Sequence, residues 1–356
     1  MNTDEQQLVY PFESLPESGS AIKVAEGLYW IRMPLPFALD HINLWLLEDE
    51  VDGRKGWTIV DCGVARDEVK EQWEQVFKNV LDGLPVLRVI VTHMHPDHVG
   101  LADWLCKRWD VPLYMTMTDF MTARLFSMPP GPNGSGGPTG PAAADFFASH
   151  GLTDEDSKEK IRQRATYYPG LVPSVPAEFI RISHNDTLQI NGRKWRVIVG
   201  YGHAPEHASL WCSDINVLIS GDMLLPRIST NVSVFNYEPM GNPLPQYLNS
   251  LHEYKDLPDD ALVLPSHGKP FKGIHVRIAQ QHAHHKERLQ EVMDACIHPQ
   301  TTADIVPVLF RRKLDLHQLT FAMGEALAHL HALYYEGKLK REVDSYGLIR
   351  FSKTPN

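Results

Sequence analysis

A group of potential metal ligands directly follows a buried strand, and it constrains the fold more than any other feature. Residues 86–91 form a continuous apolar run rich in β-branched side chains, which is typical of a strand covered on both faces. The motif HMHPDH follows and supplies four potential ligands: His93, His95, Asp97 and His98. Two histidines in an i, i+2 relation point the same way from extended chain. Imidazole and carboxylate together indicate a metal centre at the end of this strand.

Three further apolar segments also stop at a potential ligand. These strand-like segments end at residues 199, 219 and 264, and the ligands that follow are His203, Asp222 and His267. Small residues flank each of them, which lets the backbone approach a metal closely. A single such residue is weak evidence, but all three together with the first motif predict one centre built from several strand ends.

Composition excludes several other classes of protein. The 356 residues are 43% hydrophobic and 22% charged, which is ordinary for one large globular domain or two unequal ones. A net charge of −10 gives little general attraction to nucleic acid or anionic lipid. No stretch approaches the ~20 apolar residues of a membrane span. The four cysteines are scattered without a C-x-x-C pair, and the polar, acidic start lacks the order of a signal peptide, so we expect a cytoplasmic protein with reduced thiols.

The order of strand-like and helix-like segments predicts an α/β fold in three parts. Residues 1–21 are an N-terminal extension, 22–296 the main domain, which carries the ligand motifs, and 297–356 a small C-terminal domain. Within the main domain, strands are expected at 22–34, 42–47, 57–60, 86–91, 112–115, 187–190, 195–199, 209–212, 217–219 and 262–264, with helices at 66–81, 100–109 and 274–296. On the last helix, His282 and His285 are expected on a solvated face.

A helical insertion is predicted at about 116–172, between the two groups of strands. Its tip, residues 129–141, has proline or glycine at ten of thirteen positions, which predicts a mobile loop. The insertion is either a tolerated surface excursion or a lid over a site, and the sequence leaves both interpretations open.

The five motifs DCG, HMHPDH, GHAPEH, SGD and SHG together resemble the metallo-β-lactamase-fold hydrolase superfamily. The resemblance covers about residues 22–296 and implies a four-layer αβ/βα sandwich with a two-metal site at one edge. It assigns His93, His95 and His203 to the first metal, Asp97, His98 and His267 to the second, and Asp222 to both. Asp61 would hold a ligand histidine in its tautomer and orientation. His207 matches a second histidine of thioesterase-like members, or is a hydrogen-bonding residue at a strand start.

The resemblance implies a hydrolase with two divalent ions, of which zinc is favoured over iron or manganese. Two metals lower the pKa of a bridging water to about 7 and supply a hydroxide, for which Asp97 is expected to handle the proton. We expect a small ester or thioester substrate, such as a glutathione or coenzyme A thioester. The alternatives are a single-stranded RNA endonuclease, a lactonase or a binding module without catalysis. His41, Arg227 and Asn231 are candidate substrate contacts because they lie near ligand loops.

The C-terminal residues predict two helices followed by a hairpin. This order resembles the winged-helix-like tail of one subgroup of these hydrolases, some members of which cut single-stranded RNA. Residues 300–353 carry eight basic against six acidic side chains, a weaker excess than a reader of phosphates shows. A packing or docking role is therefore favoured over nucleic-acid binding. We expect the protein to bind a small-molecule substrate and not a membrane. The sequence leaves open whether it forms a homo-oligomer.

Overall fold

The computed structural model describes residues 5–131, 137 and 139–355. Positions 132–136 and 138 of the predicted mobile tip lie outside these described residues. The chain folds into two compact units. The first unit comprises Met1–Met128, Tyr168–Thr230 and Leu251–Ile278, and the second comprises Pro129–Tyr167, Asn231–Ser250 and Ala279–Asn356. The three-part division given above stays a prediction.

Two sheets form the centre of the first unit. The seven-stranded sheet has its strands in chain order: β1 (Ile22–Ala25), β2 (Leu28–Pro34), β3 (His41–Val51), β4 (Arg54–Val60), β5 (Val86–Ile90), β6 (Leu113–Met115) and β7 (Ile180–Arg181). Strands β1 to β4 are antiparallel neighbours and β4 to β7 are parallel. The five-stranded sheet contains β8 (Thr187–Ile190), β9 (Arg193–Gly200), β10 (His207–Cys212), β11 (Val217–Gly221) and β12 (Leu262–Pro265), and only β11 and β12 in it pair in parallel among the described strands.

The described helices complete the chain. They are α1 (Asp67–Asn79), α2 (Pro96–Val99), α3 (Ala102–Trp109), α4 (Met117–Ser127), α5 (Pro141–Ser149), α6 (Glu155–Arg162), α7 (Tyr167–Leu171), α8 (Pro243–Ser250), α9 (Ile274–Ala295), α10 (Thr302–Leu309) and α11 (Leu316–Tyr335). Short 3₁₀ segments occur at Glu5–Gln7, Gln163–Thr166 and Leu251–Tyr254. Helices α4 to α7 fall within the insertion predicted at about 116–172, and α9 covers most of the helix predicted at 274–296, whereas α8 was not predicted.

Alternating side chains of the first sheet build two separate cores. Trp45 and Leu47 of β3 join the core shared with the second sheet, whereas Leu44 and Leu46 join the core packed against α1, α3 and α4. Because both faces of the sheet are covered, its central strands carry continuous apolar runs. Each fully buried large side chain contributes roughly 1.5–3 kcal/mol. Strand β5 shows the pattern that residues 86–91 predicted, and it fixes the position of the first ligand motif.

Several boundaries differ from the sequence prediction, for example that of β3, and two of the differences change the number of elements. The single strand expected at 22–34 is wrong: β1 and β2 are two strands joined by a turn, in which Gly27 has a φ of +69°. That left-handed conformation favours glycine and reverses the chain. The helix expected at 100–109 begins at Ala102, and a separate short helix, α2, carries Asp97 and His98.

The second unit contains α5, α6, α8, α10 and α11 and the antiparallel hairpin of β13 (Leu339–Val343) and β14 (Ile349–Lys353). Capping boxes begin both C-terminal helices, Thr301 with Asp304 at α10 and Asp315 with Gln318 at α11. The order of two helices and a hairpin is thereby confirmed, and its winged-helix nature stays a prediction.

The solvated face expected for His285 is wrong. His285 is fully buried, and its Nδ1 lies 3.2 Å from Nε2 of the equally buried His329 on α11. The helical spacing of the histidines was consistent with a surface, but tertiary packing within the second unit covers this position. Burial and the neighbouring imidazoles lower the pKa of His285 to about 2, so the ring is neutral.

Candidate metal centre

The seven predicted ligands all follow strands of the first unit, five in loops or turns and two on the short helix α2. Strand β5 leads into the segment of His93 and His95, and α2 follows at once with Asp97 and His98. Strands β9, β11 and β12 end at Gly200, Gly221 and Pro265, just before the other three ligands, His203, Asp222 and His267. Each of these strands thus ends within a few residues of a predicted ligand.

The structure brings four of these ligands together in a first cluster: His93, His95, His203 and Asp222. His93 Nε2 lies 2.8 Å from His95 Nδ1 and 3.2 Å from His203 Nε2. His203 Nε2 lies 3.2 Å from Asp222 Oδ2. Ligand atoms at tetrahedral zinc bond lengths are about 3.3 Å apart. The spacing and the chemistry of the donors therefore fit one metal ion.

The other three ligands form a second cluster: Asp97, His98 and His267. Asp97 Oδ2 lies 3.6 Å from His98 Nε2 and 3.4 Å from His267 Nε2. His98 Nε2 is buried without a hydrogen-bond partner in the described structure, which is costly for a polar atom unless a metal or water completes it. This orphaned nitrogen supports a second ion at this cluster.

The carboxylate of Asp222 reaches both clusters. Its Oδ2 lies 3.2 Å from His203 Nε2 and 3.5 Å from His98 Nε2, and its Oδ1 lies 3.5 Å from His267 Nε2. Oδ1 is buried and has no hydrogen-bond partner in the described structure. The side chain therefore stands where a ligand bridging two ions belongs, which agrees with the assignment made from the sequence.

Asp61 holds His98 in place. His98 Nδ1 donates to Asp61 Oδ2 at 2.8 Å, and the backbone N–H of Thr92 donates to Asp61 Oδ1 at 2.8 Å. With its proton on Nδ1, the ring of His98 presents the lone pair of Nε2 to the second cluster. Asp61 itself has a φ of +63°, an uncommon conformation for a residue with a Cβ. The structure thus pairs Asp61 with His98, and its role in holding a metal ligand stays a prediction.

His207 lies outside both clusters and contacts the backbone of a ligand. Its Nε2 accepts the backbone N–H of Asp222 at 3.0 Å, and the ring is fully buried. A Cβ at Gly221 would lie 2.3 Å from this nitrogen, so only glycine fits beside the ring. This geometry matches the second interpretation above, a hydrogen-bonding residue at the start of a strand.

The ligand side chains of the centre differ in the direction of their pKa shifts. Burial lowers the pKa of His95 to about 3 and holds the pKa of His93 well below its ordinary value, so both rings are neutral and able to ligate. Burial alone raises the pKa of Asp97, but the charges of His98 and His267 outweigh it and lower the pKa to about 2. Burial likewise opposes a charged His98, but nearby carboxylates raise its pKa well above the ordinary value. Metal binding would displace that proton.

The three predicted substrate contacts occupy different surroundings. His41 touches the loop of a ligand: its carbonyl accepts His267 Nδ1–H and its Nε2 accepts the N–H of Gly268, each at 2.8 Å. Arg227 is exposed in the loop after Asp222. Asn231 belongs to the second unit, where its Nδ2 donates to Glu325 Oε2 at 3.3 Å. Contact of any of them with substrate stays a prediction.

Two residues that hold ligand loops were missed by the sequence analysis. Asn43 on β3 donates from Nδ2 to the carbonyls of Pro265 and Gly268, on either side of His267, at 2.8 Å each. Asp119 on α4 accepts backbone N–H groups beside two other ligands. A polar residue within the apolar run of residues 42–47 was a signal for Asn43. The only signal for Asp119 was its position in the first turn of a predicted helix that follows a short strand.

Two clusters of histidine and aspartate that follow strands of two sheets are consistent with a two-metal centre. The chain belongs to the metallo-beta-lactamase superfamily, whose family model matches residues 39–267. A second model, described as "Metallo-beta-lactamase-like, C-terminal domain", matches residues 289–354. The family and the clusters together support a metal-dependent hydrolase with this α/β fold and a C-terminal domain.

Solved structures and curated relatives agree with this assignment. The chain is 53% identical to a beta-lactamase domain protein from Burkholderia ambifaria, with a TM-score of 0.93 and coverage of 99% of this chain and 100% of the other. A metallo-beta-lactamase family protein from Thermus thermophilus is 26% identical, with a TM-score of 0.75 and coverage of 93% and 100%. The "Probable metallo-hydrolase YqjP" of Bacillus subtilis is 24% identical over 87% of this chain and 93% of its own length. Among the helices that the structure describes, none is long and apolar enough to cross a membrane.

Proposed function

We propose that the protein hydrolyses a small ester or thioester, such as a glutathione or coenzyme A thioester, with two zinc ions as cofactors. The observation that carries this proposal is the convergence of two ligand clusters on one carboxylate, Asp222. Zinc suits a donor set of imidazole and carboxylate without thiolate, and iron or manganese are the alternatives. Two ions bound there supply a hydroxide nucleophile at neutral pH.

Asp97 is the residue proposed to move the proton. Its side chain is more exposed than that of Asp222, 16% against 9%, so it remains accessible to a reactant beside the centre. The same carboxylate lies 3.4 Å from His267 Nε2, which fixes its position. In this proposal Asp97, which its depressed pKa keeps ionised, accepts a proton from the attacking water and passes it to the leaving group.

Exposed apolar side chains near the ligand loops support an apolar substrate. Tyr201 precedes His203 by two residues and is 43% exposed, and Ile228 follows Asp222 in the next loop and is 47% exposed. Leu39 is 36% exposed just before His41. Large apolar groups left open on several loops suit the acyl part of an ester better than a phosphate chain. The net charge of −10 further disfavours a nucleic acid chain.

The test compares thioesters, lactones and phosphodiesters with zinc-loaded full-length protein. We expect a small thioester or ester to be cleaved fastest, with activity lost on chelation and restored by zinc. Cleavage of single-stranded RNA that exceeds every ester by orders of magnitude and falls steeply with salt would replace this proposal with the nuclease. Fastest cleavage of lactones would replace it with a lactonase. Metal binding without cleavage of any substrate would favour the alternative of a binding module without catalysis.

Replacing Asp222 by alanine tests the shared carboxylate. We expect Asp222→Ala to hold clearly less than the wild type's metal, about two ions per chain, because its side chain reaches both clusters. Activity should fall at least about 100-fold, since even groups that only orient ligands cost 10–100-fold. Asp214→Ala, at an exposed turn between β10 and β11, is the matched control and should keep both properties. Full metal content in Asp222→Ala would contradict the shared site.

A further inference from the structure

A buried carboxylate on α4 is bonded to the backbone of two ligand segments. Asp119 is fully buried. Its Oδ1 accepts the N–H of Met94 at 2.7 Å, and its Oδ2 accepts the N–H of Glu206 at 2.6 Å. Met94 stands between His93 and His95, and Glu206 lies in the loop of His203. One side chain thus joins the two segments that supply the three imidazoles of the first cluster.

Neighbouring groups hold the same two segments. Thr116, just before α4, donates from Oγ1 to the carbonyl of Glu206 at 2.8 Å, and the N–H of Thr118 donates to Glu206 Oε2 at 3.0 Å. Tyr168 donates from its hydroxyl to the carbonyl of Met94 at 2.5 Å. Side chains therefore hold both backbone groups of Met94 and of Glu206. Such fixed backbone leaves little freedom for the imidazoles beside it.

We propose that Asp119 is a positioning residue that sets the distance between the segments of His95 and His203, and thereby the metal affinity of the first cluster. This inference rests on the proposed function only in requiring that the first cluster binds metal. The spacing between the two carboxylate oxygens fixes the separation of the two bonded N–H groups. Short bonds to a buried carboxylate are among the stronger hydrogen bonds in proteins. The second cluster is held differently, since Asp61 orients His98.

The test uses variants that keep the size of the side chain and change only its hydrogen bonds. Asp119→Asn has the same size, but its amide NH₂ must face one of the two backbone N–H donors, so one bond is replaced by a clash of donors. Thr116→Val is nearly isosteric and removes only the bond to the carbonyl of Glu206. It serves as the second variant, because it leaves Asp119 intact and is expected to fold. Asp61→Asn is the comparison variant that is not selective, because Asp61 bonds both His98 and the backbone of Thr92 beside His93.

The measurement is cobalt(II) affinity at each cluster separately, by visible absorption and competition with a chelator. In full-length protein, His267→Ala leaves only the first cluster complete, and His203→Ala leaves only the second. We expect Asp119→Asn to weaken cobalt binding about 10–100-fold in the His267→Ala background and less than about threefold in the His203→Ala background. Thr116→Val should give a smaller loss in the same background. Asp61→Asn should weaken cobalt binding in both backgrounds, because it alters the contacts of both His98 and Thr92.

Equal weakening by Asp119→Asn in both backgrounds would overturn the inference, because it would indicate a general loss of folding. Unchanged affinity at the first cluster in both Asp119→Asn and Thr116→Val would overturn it as well. Cobalt binding needs no substrate, so the test is separate from the hydrolase proposal. Selective loss at the first cluster in a protein that cleaves no ester would support the role of Asp119 and refute the proposed function. Failure of the unmodified chain to bind cobalt would refute both.

Discussion

Replacing Glu325 by glutamine should change how the stability of the second unit depends on pH. Glu325 lies on α11 and is only 9% exposed. Burial raises the pKa of this carboxyl from 4.5 to about 7, against the opposing effects of the hydrogen bond from Asn231 and the charge of Arg288. Between these two pKa values the folded protein holds a proton that the unfolded chain has lost. The free energy of unfolding must therefore fall as the pH rises from 4.5 to about 7, and stay level above.

The size of the effect follows from the two pKa values. A difference of about 2.5 pKa units corresponds to roughly 3 kcal/mol of stability lost between about pH 4 and about pH 8. Glutamine has nearly the same shape and never ionises. Its carbonyl can accept the Nδ2–H of Asn231 in place of the carboxyl. Glu325→Gln should therefore be about as stable as the wild type at about pH 4.5 and up to about 3 kcal/mol more stable at about pH 8.

Hydrogen exchange of the α11 amides is the suitable assay, because it reports on the second unit directly. All eight tryptophans lie in the first unit, so tryptophan fluorescence would follow the wrong part of the chain. The control is Glu342→Gln, a change at an exposed glutamate of β13 in the same unit. It should leave the pH dependence of the wild type in place. An unchanged pH slope in Glu325→Gln would refute the claim that this carboxyl is protonated in the neutral folded protein.

Two further predictions concern the first unit and the inserted loop. Asp49 is buried and pairs with Arg88 at 2.7 Å. Asp49→Ala should lower the free energy of unfolding by about 3–5 kcal/mol, because it leaves the buried guanidinium without its carboxylate; unfolding by guanidinium chloride, followed by tryptophan fluorescence, measures this loss. A loss under about 1 kcal/mol would show that water replaces the carboxylate. Replacing residues 130–140 with a short Gly-Ser link should leave metal content and Tm nearly unchanged but alter KM or substrate range, measured across the substrate panel. Unchanged kinetics on every substrate would show a passive surface loop.

The metal ligands could be predicted from the sequence because their chemistry restricts them to few residue types and their places to strand ends. His93, His203 and His267 each follow an apolar run whose period identifies a strand. The pairing of these strands in the sheets then brings their ligand-bearing ends to one edge of the fold. The resemblance to a known family implied the same arrangement. The split of the first strand at Gly27 escaped prediction, because a two-residue turn leaves the apolar pattern on either side intact.

The residues that hold the ligands could not be predicted in the same way, because their roles arise from contacts between distant parts of the chain. Asn43 reaches the loop of His267 across more than two hundred residues of sequence, and Asp119 reaches Met94 and Glu206 from a helix between them. Any polar side chain of suitable length could make such a hydrogen bond, so no spacing in the sequence identifies the residue that does. His285 shows the converse, since a histidine that resembled a surface residue is buried by packing. The centre is therefore specified twice: locally by the ligands, and by tertiary contacts that fix how far apart their loops stand.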